Sequence, residues 1–395
     1  MIQIASAIVA GEPILAAAKK AFNQAAAQLR QPMSLVIVFL SGDDCLRQAA
    51  AVLGWINDEA ANATVIGCAS DSIAGTRQEC EHQTAASILV ISGLSGSISE
   101  SIHHIEYVNT LDGPFFKNDS ALLENNSEQQ TVMILADPFS FPIDAFFRLC
   151  QRESPELQIV GGYCSGVQGA GHAVLLHNRQ VYSGGALAML LPSQLRVTTV
   201  VSQGCRPIGE PMIVTSVQEN AILGLGGKPA LQQLKDLFVR SPGRDQQAML
   251  QAMHLGRAVS EYRDRFEAGD FLIRNVIGVE DEHMAVMITD HFRLGQTVQF
   301  HLRDAESADA DLSAMLKREA SRPEKPIGCL VFTCNGRGTN LFQTPHHDAL
   351  TIDKYFPALP AAGIFAAGEF GPVGKQNAVH GFTCVTAFLY ENPNS

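Results

Sequence analysis

The sequence predicts an α/β protein with two αβ domains whose sheets are largely buried and are parallel or mixed. The chain has 395 residues, and because a domain typically contains about 100–200 residues, two domains are expected. Short continuous apolar runs of strand length recur along the chain, which is typical of strands buried on both faces. Helical patterns alternate with these runs, and this is the element order of βαβ units.

The elements of the first half follow from this alternation. The Ala-rich segment 12–30 predicts a helix that ends at Gln31-Pro32, since the residue before a proline disfavours helix. Residues 35–40 form an apolar run that predicts a buried strand, and residues 45–62 predict a helix. Further strands are predicted at residues 64–68, 87–91, 131–136, 158–162, 186–191 and 196–201.

Two segments of the first half resemble each other. Residues 65–75 align with residues 159–169, and each follows a helix that itself follows a buried strand. One interpretation is an internal duplication of a βαβ-type unit. The alternative is that any junction between a strand and a glycine-containing loop has this pattern.

The second half predicts a separate domain, so that the N-terminal domain spans residues 1–216 and the C-terminal domain spans residues 217–395. Helices are predicted at residues 228–240, 245–259, 308–320 and 348–355. Strands are predicted at residues 271–279, 285–289, 297–302, 328–333, 363–367 and 381–389, with loops at 334–338 and 368–374.

Charge and cysteine content exclude several classes of function. The formal net charge is −12, which argues against binding to nucleic acid or to an anionic membrane surface. No apolar run reaches the roughly 18 residues of a membrane helix, and no basic segment precedes the apolar N-terminus. The nine cysteines are scattered and odd in number. We therefore expect a reducing cytoplasm, with no disulfide framework, no metal site and no cofactor.

The loop Cys334-Asn335-Gly336-Arg337-Gly338 follows an apolar strand. In open α/β sheets, ligands bind beyond the carboxyl ends of the strands. The guanidinium of Arg337 suits a carboxylate, so the loop is a candidate anion site. The alternative is a tight turn in which Arg337 closes a structural salt bridge.

Glu369 lies between glycines after the next predicted strand, and Asn377, His380 and Thr383 follow it. If the two strands are neighbours, Arg337 and Glu369 face one crevice and suit the carboxylate and the ammonium group of an amino acid. The alternatives are that Arg337 and Glu369 pair with each other, and that His380 is a structural hydrogen-bonding residue.

A second loop, residues 163–169, contains glycines after a strand and offers Cys164 and Ser165. Its backbone N–H groups suit an anion, although an ordinary turn has the same composition. Cys334 is a candidate nucleophile, because positive potential from Arg337 would lower its pKa. The sequence contains no P-loop, no dinucleotide-binding glycine pattern and no Gly-x-Ser-x-Gly motif.

These motifs together resemble the FIST family, with a FIST N-terminal part followed by a FIST C-terminal domain. The resemblance rests on the Cys334–Gly338 loop, on Gly368-Glu369-Phe370-Gly371-Pro372, and on Asn377 followed by His380-Gly381-Phe382-Thr383. The chain departs from the family pattern at Ala69-Ser70-Asp71. The resemblance implies a stand-alone bacterial sensor that binds a small ligand, such as an amino acid, and signals through an unknown partner protein.

Three hypotheses of function remain open at this point. The first is a cytoplasmic sensor that binds a small ligand. The second is an enzyme that uses Cys334 or Glu369. The third is a protein-interaction module that docks through a phenylalanine-rich surface, formed by Phe115, Phe116, Phe139, Phe141, Phe146 and Phe147.

Overall fold

The computed structural model describes residues 1–111, 113–123, 130–261, 266 and 268–393. The predicted α/β class is confirmed. The chain divides into two compact units, one made of Met1–Val201 with Ser313–Ser395 and the other of Ser202–Leu312. These units do not follow a single cut of the chain, and the division at residues 216/217 stays a prediction about the sequence domains.

The first unit begins with a run of strands and helices that we call copy 1. Its elements are β1 (Gln3–Ala10), α1 (Ile14–Ala26), β2 (Met33–Ser41), α2 (Cys45–Glu59), β3 (Thr64–Ala69), β4 (Ile73–Gly75), β5 (Gln78–Cys80) and β6 (Ala85–Ser92). Strands β2 and β3 are parallel, whereas β6 runs antiparallel to β2 and β1 runs antiparallel to β6. The four strands lie in the order β3-β2-β6-β1.

Copy 2 repeats this order. Its elements are β7 (Ile102–Thr110), β8 (Gly113–Lys117), α3 (Ser120–Leu123), β9 (Thr131–Ala136), α4 (Ile143–Glu153), β10 (Gln158–Cys164), β11 (Leu175–His177), β12 (Gln180–Tyr182) and β13 (Ala186–Leu190). Strands β9 and β10 are parallel, and β13 is antiparallel to β9 and β7. The order β10-β9-β13-β7 matches that of copy 1.

Strand β14 (Leu195–Ser202) is followed in the chain by the second unit. The elements that follow it are β15 (Cys205–Gln218), β16 (Ala221–Leu225), β17 (Lys228–Pro229), α5 (Ala230–Arg240), α6 (Gly243–Gln251), β18 (Met253–Ala258), β19 (Phe271–Glu280), β20 (Ala285–Ile288) and β21 (Thr297–Arg303). Its strands form an antiparallel sheet in the order β15-β21-β18-β19-β20-β16-β17.

The chain then completes copy 3. Its remaining elements are α7 (Ala305–Ala320), β22 (Gly328–Cys334), α8 (His347–Tyr355), β23 (Ala361–Val373), β24 (Gln376–His380) and β25 (Cys384–Glu391). Strands β22 and β23 are parallel and β25 is antiparallel to β22, so the order β23-β22-β25-β14 repeats that of the first two copies. The duplication expected from residues 65–75 and 159–169 therefore has a third member, which the sequence pattern did not predict.

The three copies exchange strands in a closed cycle. Strand β4 of copy 1 pairs with β23 of copy 3, β11 of copy 2 pairs with β3 of copy 1, and the second half of β23 pairs with β10 of copy 2. In each exchange one glycine occupies the same position, since Gly363 faces Ala74, Gly67 faces Leu176 and Gly161 faces Phe370. An ideal Cβ on any of these glycines would lie 1.8–1.9 Å from a carbonyl oxygen of the neighbouring parallel strand.

Three sequence predictions of secondary structure were wrong in part. The helix predicted at 245–259 ends at Gln251, and Met253–Ala258 is instead a strand between β21 and β19, because sheet pairing overrides local helical preference. The predicted loop 368–374 continues strand β23 as far as Val373. The last strand, predicted from residue 381, starts at Cys384, and His380 is the last residue of the separate strand β24.

Candidate functional site

Arg337 lies near the beginning of the loop that follows β22, and its side chain is completely buried. Its Nε and Nη2 atoms donate to Asp348 Oδ2 and Oδ1, both at 2.8 Å, and Nη1 donates to the carbonyl of Phe382 at 3.3 Å. Burial alone would raise the pKa of Asp348, but the guanidinium holds it well below its ordinary range. The carboxylate partner of Arg337 is therefore Asp348 on α8 and not Glu369.

A second carboxyl group lies beside this ion pair. Glu79 of β5 is buried, and its Oε1 accepts a hydrogen bond from the backbone N–H of Ala349 at 3.0 Å, while its Oε2 has no hydrogen-bond partner in the part of the chain that the structure describes. Burial, and then the charge of Asp348, raise the pKa of Glu79 to about 8. Burial and the charge of Asp348 therefore favour the protonated form of Glu79 in the folded protein.

We expect this proton to make stability depend on pH. The folded protein holds it up to about pH 8, whereas the unfolded chain releases it near the ordinary value of 4.5. The stabilisation therefore falls as the pH rises from about 4.5 and is lost above about 8. Urea unfolding of Glu79→Gln should show a gain over the wild type that grows between about pH 5 and pH 8 and stays constant above that. Glu12→Gln, at an exposed ion pair, is the matched control, and an equal pH dependence of Glu79→Gln and the wild type would contradict the assignment.

Glu369 is also completely buried. Its Oε2 accepts a hydrogen bond from the backbone N–H of Thr383 at 3.1 Å. In the antiparallel pair of β23 and β24, Glu369 lies opposite His380. The equivalent positions in the strand exchange of copies 1 and 2 are Ile73 and Leu175. A carboxylate thus replaces an aliphatic side chain in copy 3 alone, so the fold itself does not require it.

Cys334 lies next to Glu369 at the end of β22, and its Sγ accepts the N–H of Gly336 at 3.5 Å. Burial, followed by the negative charge of Glu369, raises the pKa of the Cys334 thiol above its ordinary range. The reactive thiolate expected from a neighbouring Arg337 is therefore disfavoured, because that guanidinium is neutralised by Asp348. The arrangement does not support Cys334 as a nucleophile.

We expect almost none of the thiol groups to react with a thiol reagent while the protein is folded. All nine cysteines are buried as free thiols. Titration with an aromatic disulfide at about pH 8 should detect close to none of them in the native state and nine after unfolding in guanidinium chloride. One rapidly reacting thiol in the native wild type, absent from Cys334→Ser, would restore the nucleophile hypothesis.

The other C-terminal candidates have structural hydrogen bonds. Asn377 bridges to β10, since its Oδ1 accepts the N–H of Ile159 and its Nδ2 donates to the carbonyl of Leu157, both at 2.8 Å. His380 contacts the carbonyl of Gly371 through Nε2 at 3.1 Å. Asn335 is exposed. The structure thus brings Cys334, Glu369 and Thr383 together. Asn377 is apart from them, since it lies on β24 and its side chain bonds the first residues of β10.

Cys164 and Ser165 belong to a different cluster, where the three copies meet. The hydroxyl groups of Ser165 and Ser70 both donate to the carbonyl of Phe365, at 2.6 and 2.8 Å. The N–H of Ser165 donates to Ser70 Oγ at 3.0 Å. Cys164 forms a hydrogen bond with Cys68, and burial and then this contact raise the pKa of Cys68. The two segments that resembled each other in sequence therefore contact each other directly.

Ser70 and Ser165 line a cavity of 580 Å³, which we call the crevice. It lies at the carboxyl ends of β2, β3 and β10, where α/β sheets hold ligands. Its polar lining includes Asp43, Ser70, Asp71, His82, Ser165, Gln168 and His172. Of these, the sequence predicted only Ser165. The missed signal was the segment Ala69-Ser70-Asp71, where the chain departs from the family pattern.

Loop length explains why the crevice is open. Only residues 42–44 connect β2 to α2 in copy 1, whereas residues 335–346 connect β22 to α8 in copy 3. The longer loop carries Arg337 and Phe342, and both are buried. A cavity of 780 Å³ lies elsewhere, near Met1, Gln194 and Tyr390. That cavity is at the amino end of β22, where α/β sheets seldom bind ligands.

The phenylalanine-rich segment is mostly core. Phe116, Phe141, Phe146 and Phe147 are buried in one cluster, and only Phe115 and Phe139 are substantially exposed. Phe146 and Phe147 lie on α4, Phe141 precedes that helix, and Phe116 lies on β8, so the buried cluster combines a helix, a loop and a strand. Among the residues that the structure describes, no helix is both long enough and apolar enough to cross a lipid bilayer.

The structure is an α/β fold with a polar crevice at strand carboxyl ends, and comparison with known proteins gives the family. Residues 34–228 match the FIST N domain and residues 230–372 match the FIST C domain. The chain belongs to the FIST family. FIST domains are associated with sensing in signal transduction.

Full-length relatives are found among uncharacterized proteins of Mycobacterium tuberculosis. One is 34% identical over 378 residues, covering 94% of this chain and 97% of the relative. Another is 33% identical over 378 residues, covering 95% and 96%. An F-box/LRR-repeat protein of Arabidopsis thaliana is 37% identical over 84 residues, which is 20% of this chain and 16% of that protein.

Proposed function

We propose that this protein is a cytoplasmic sensor that binds a small ligand, an amino acid or a similar metabolite, in the crevice. The observation that carries the proposal is the position of this 580 Å³ cavity at the carboxyl ends of three strands. Its volume lies within the range of small-molecule sites, about 300–1,000 Å³. The nine free thiols are in keeping with a reducing compartment.

The walls of the crevice suggest how binding would be transmitted. Gly42, Asp43 and Thr84 belong to copy 1, whereas Ser165 and Gln168 belong to the loop after β10 in copy 2. A ligand that touches both walls favours one relative arrangement of these loops, provided that it binds the two arrangements with different affinity. The output then passes to a partner protein.

The ligand can be sought by thermal shift with a panel of amino acids and related metabolites. We expect at least one compound to raise the melting temperature of the wild type, because ligands that bind only the folded state stabilise it. Gln168→Trp places a bulky ring at an exposed position of the crevice wall and should abolish that shift.

Gln24→Trp is the matched control, since Gln24 is exposed on α1 and does not line the crevice. Native mass spectrometry of the purified wild type checks for a ligand retained from the cell. If the ligand raised the melting temperatures of the wild type and Gln168→Trp by the same amount, the assignment of the ligand to the crevice would be wrong.

A further inference from the structure

We propose that the crevice takes a ligand with a positively charged amine or guanidinium group; this inference rests on the proposed function of the same site. Among the residues that the structure describes, the formally charged ones that line the crevice are Asp43 and Asp71, and no lysine or arginine lines it. Asp71 contacts His82, whose Nδ1 lies 2.7 Å from Asp71 Oδ2. The side chain of His82 is largely exposed, so its ring is free to turn away from the carboxylate when a ligand arrives.

The N-terminus of α2, the positive end of the helix dipole, also faces the crevice. Its positive potential opposes the negative potential of the two carboxylates. Cys45 and Leu46, in the first turn of this helix, contribute to the lining. A helix N-terminus is equivalent to about half a positive charge. Asp43, which precedes the N-cap residue Asp44, by itself offers a full negative charge to the crevice, and Asp71 adds another. The potential in the crevice is therefore negative, and the acidic chain as a whole reinforces it.

In copy 3, the position that corresponds to the crevice of copy 1 is filled by a side chain. The crevice is bounded by the loop after β2, by the first turn of α2 and by the loop before β6. The guanidinium of Arg337 occupies the corresponding place in copy 3. It comes from the loop after β22, bonds Asp348 in the first turn of α8, and bonds the carbonyl of Phe382 before β25.

The comparison supplies the chemistry of the ligand. In copy 3 the chain provides its own cation, held by a bidentate carboxylate and by a carbonyl oxygen, and the ring of Phe342 lies 5.2 Å from the guanidinium carbon. In copy 1 the short loop provides no such side chain, and the carboxylates come from the loops instead of from the first helical turn, since Asp43 precedes α2 and Asp71 follows β3. A diffusible cation completes in copy 1 the arrangement that Arg337 completes in copy 3.

The test compares three probes of similar size by isothermal titration calorimetry at low ionic strength. The probes are n-butylguanidinium, the neutral N-butylurea and the anionic butyrate. In the wild-type chain we expect n-butylguanidinium to bind about tenfold more tightly than N-butylurea, since a charge-assisted hydrogen bond is lost in the neutral probe. This advantage should shrink when salt is added, because exposed charges are screened.

Asp71→Asn should bring the two affinities to within about twofold of each other, which is the loss of one charged contact. Asp58→Asn is the matched control, because Asp58 is exposed on α2, pairs with Arg179 and does not line the crevice. It should leave the preference unchanged.

The outcomes separate this inference from the proposed function. Butyrate or N-butylurea binding as well as n-butylguanidinium, with all binding lost in Gln168→Trp, would overturn the charge assignment and leave the crevice as the ligand site. No heat from n-butylguanidinium up to about 20 mM would also overturn the charge assignment. Binding of n-butylguanidinium that persists in Gln168→Trp would overturn both the charge assignment and the assignment of the ligand site to the crevice.

Discussion

Arg337→Met is expected to destabilise the protein by about 3–5 kcal/mol, because it leaves Asp348 as a buried charge without its counter-ion. The loss is enlarged by the neighbouring Glu79, which already carries a raised pKa and offers no positive charge. Urea unfolding followed by circular dichroism measures the change in free energy. A midpoint that does not move in Arg337→Met would contradict the central role that the buried ion pair has in the structure.

Two further variants make the cause of this loss visible. The double variant Arg337→Met with Asp348→Leu should recover much of the stability, since replacing both members of a buried pair removes the uncompensated charge. Arg179→Met is the matched control, because Arg179 pairs with Asp58 on the surface and both side chains are mostly exposed. It should unfold at the same urea concentration as the wild type.

Gly363→Ala is expected to cost at least about 3 kcal/mol or to prevent folding, because overpacking against backbone cannot be relieved by a rotamer change. The new Cβ would lie 1.9 Å from the carbonyl oxygen of Val331 on the parallel strand β22. Strand β23 also pairs with β4 and β10, so it cannot move away from β22 without breaking the exchange between copies. The soluble yield and the urea midpoint measure the effect.

For Gly54→Ala we expect a change in the free energy of unfolding of the opposite sign. Gly54 lies inside α2, and a Cβ there would meet nothing within 4 Å. We expect a gain of about 0.5–1 kcal/mol, since alanine loses less backbone entropy on folding than glycine. If Gly363→Ala were as well tolerated as Gly54→Ala, the equivalence of Gly67, Gly161 and Gly363 would have no steric basis.

Most strands of the parallel pairs were predictable from local pattern. Residues 35–40 and 132–136 are continuous apolar runs, and in the structure both runs are fully buried within their strands. Strand β1 was not predicted, because it has no alternation of buried and exposed residues, with Ala5 and Val9 buried and the rest half-buried, and because a stronger helical segment follows it. Strand β18 was read as helix for the same kind of reason, since its burial comes from its neighbours β19 and β21.

The site was predictable only in part. The expectation that polar groups collect at the carboxyl ends of strands led to Ser165, which does line the crevice. It also led to Arg337 and Glu369, which are buried with other partners. Asp71 and His82 were missed, because nothing in a single sequence indicates that the loop after β3 meets the loop after β10.

Local sequence was enough to establish the α/β class, the buried strands and the FIST family, since these depend on hydrophobic period and on short motifs. Three-dimensional packing alone decided which carboxylate meets Arg337, which copy keeps an open crevice and how the copies exchange strands. The physical reason is that such contacts join residues far apart in the chain, as in the pairing of Gly363 with Ala74. Their energy depends on loop length and burial, and neither is encoded in the period of any one segment.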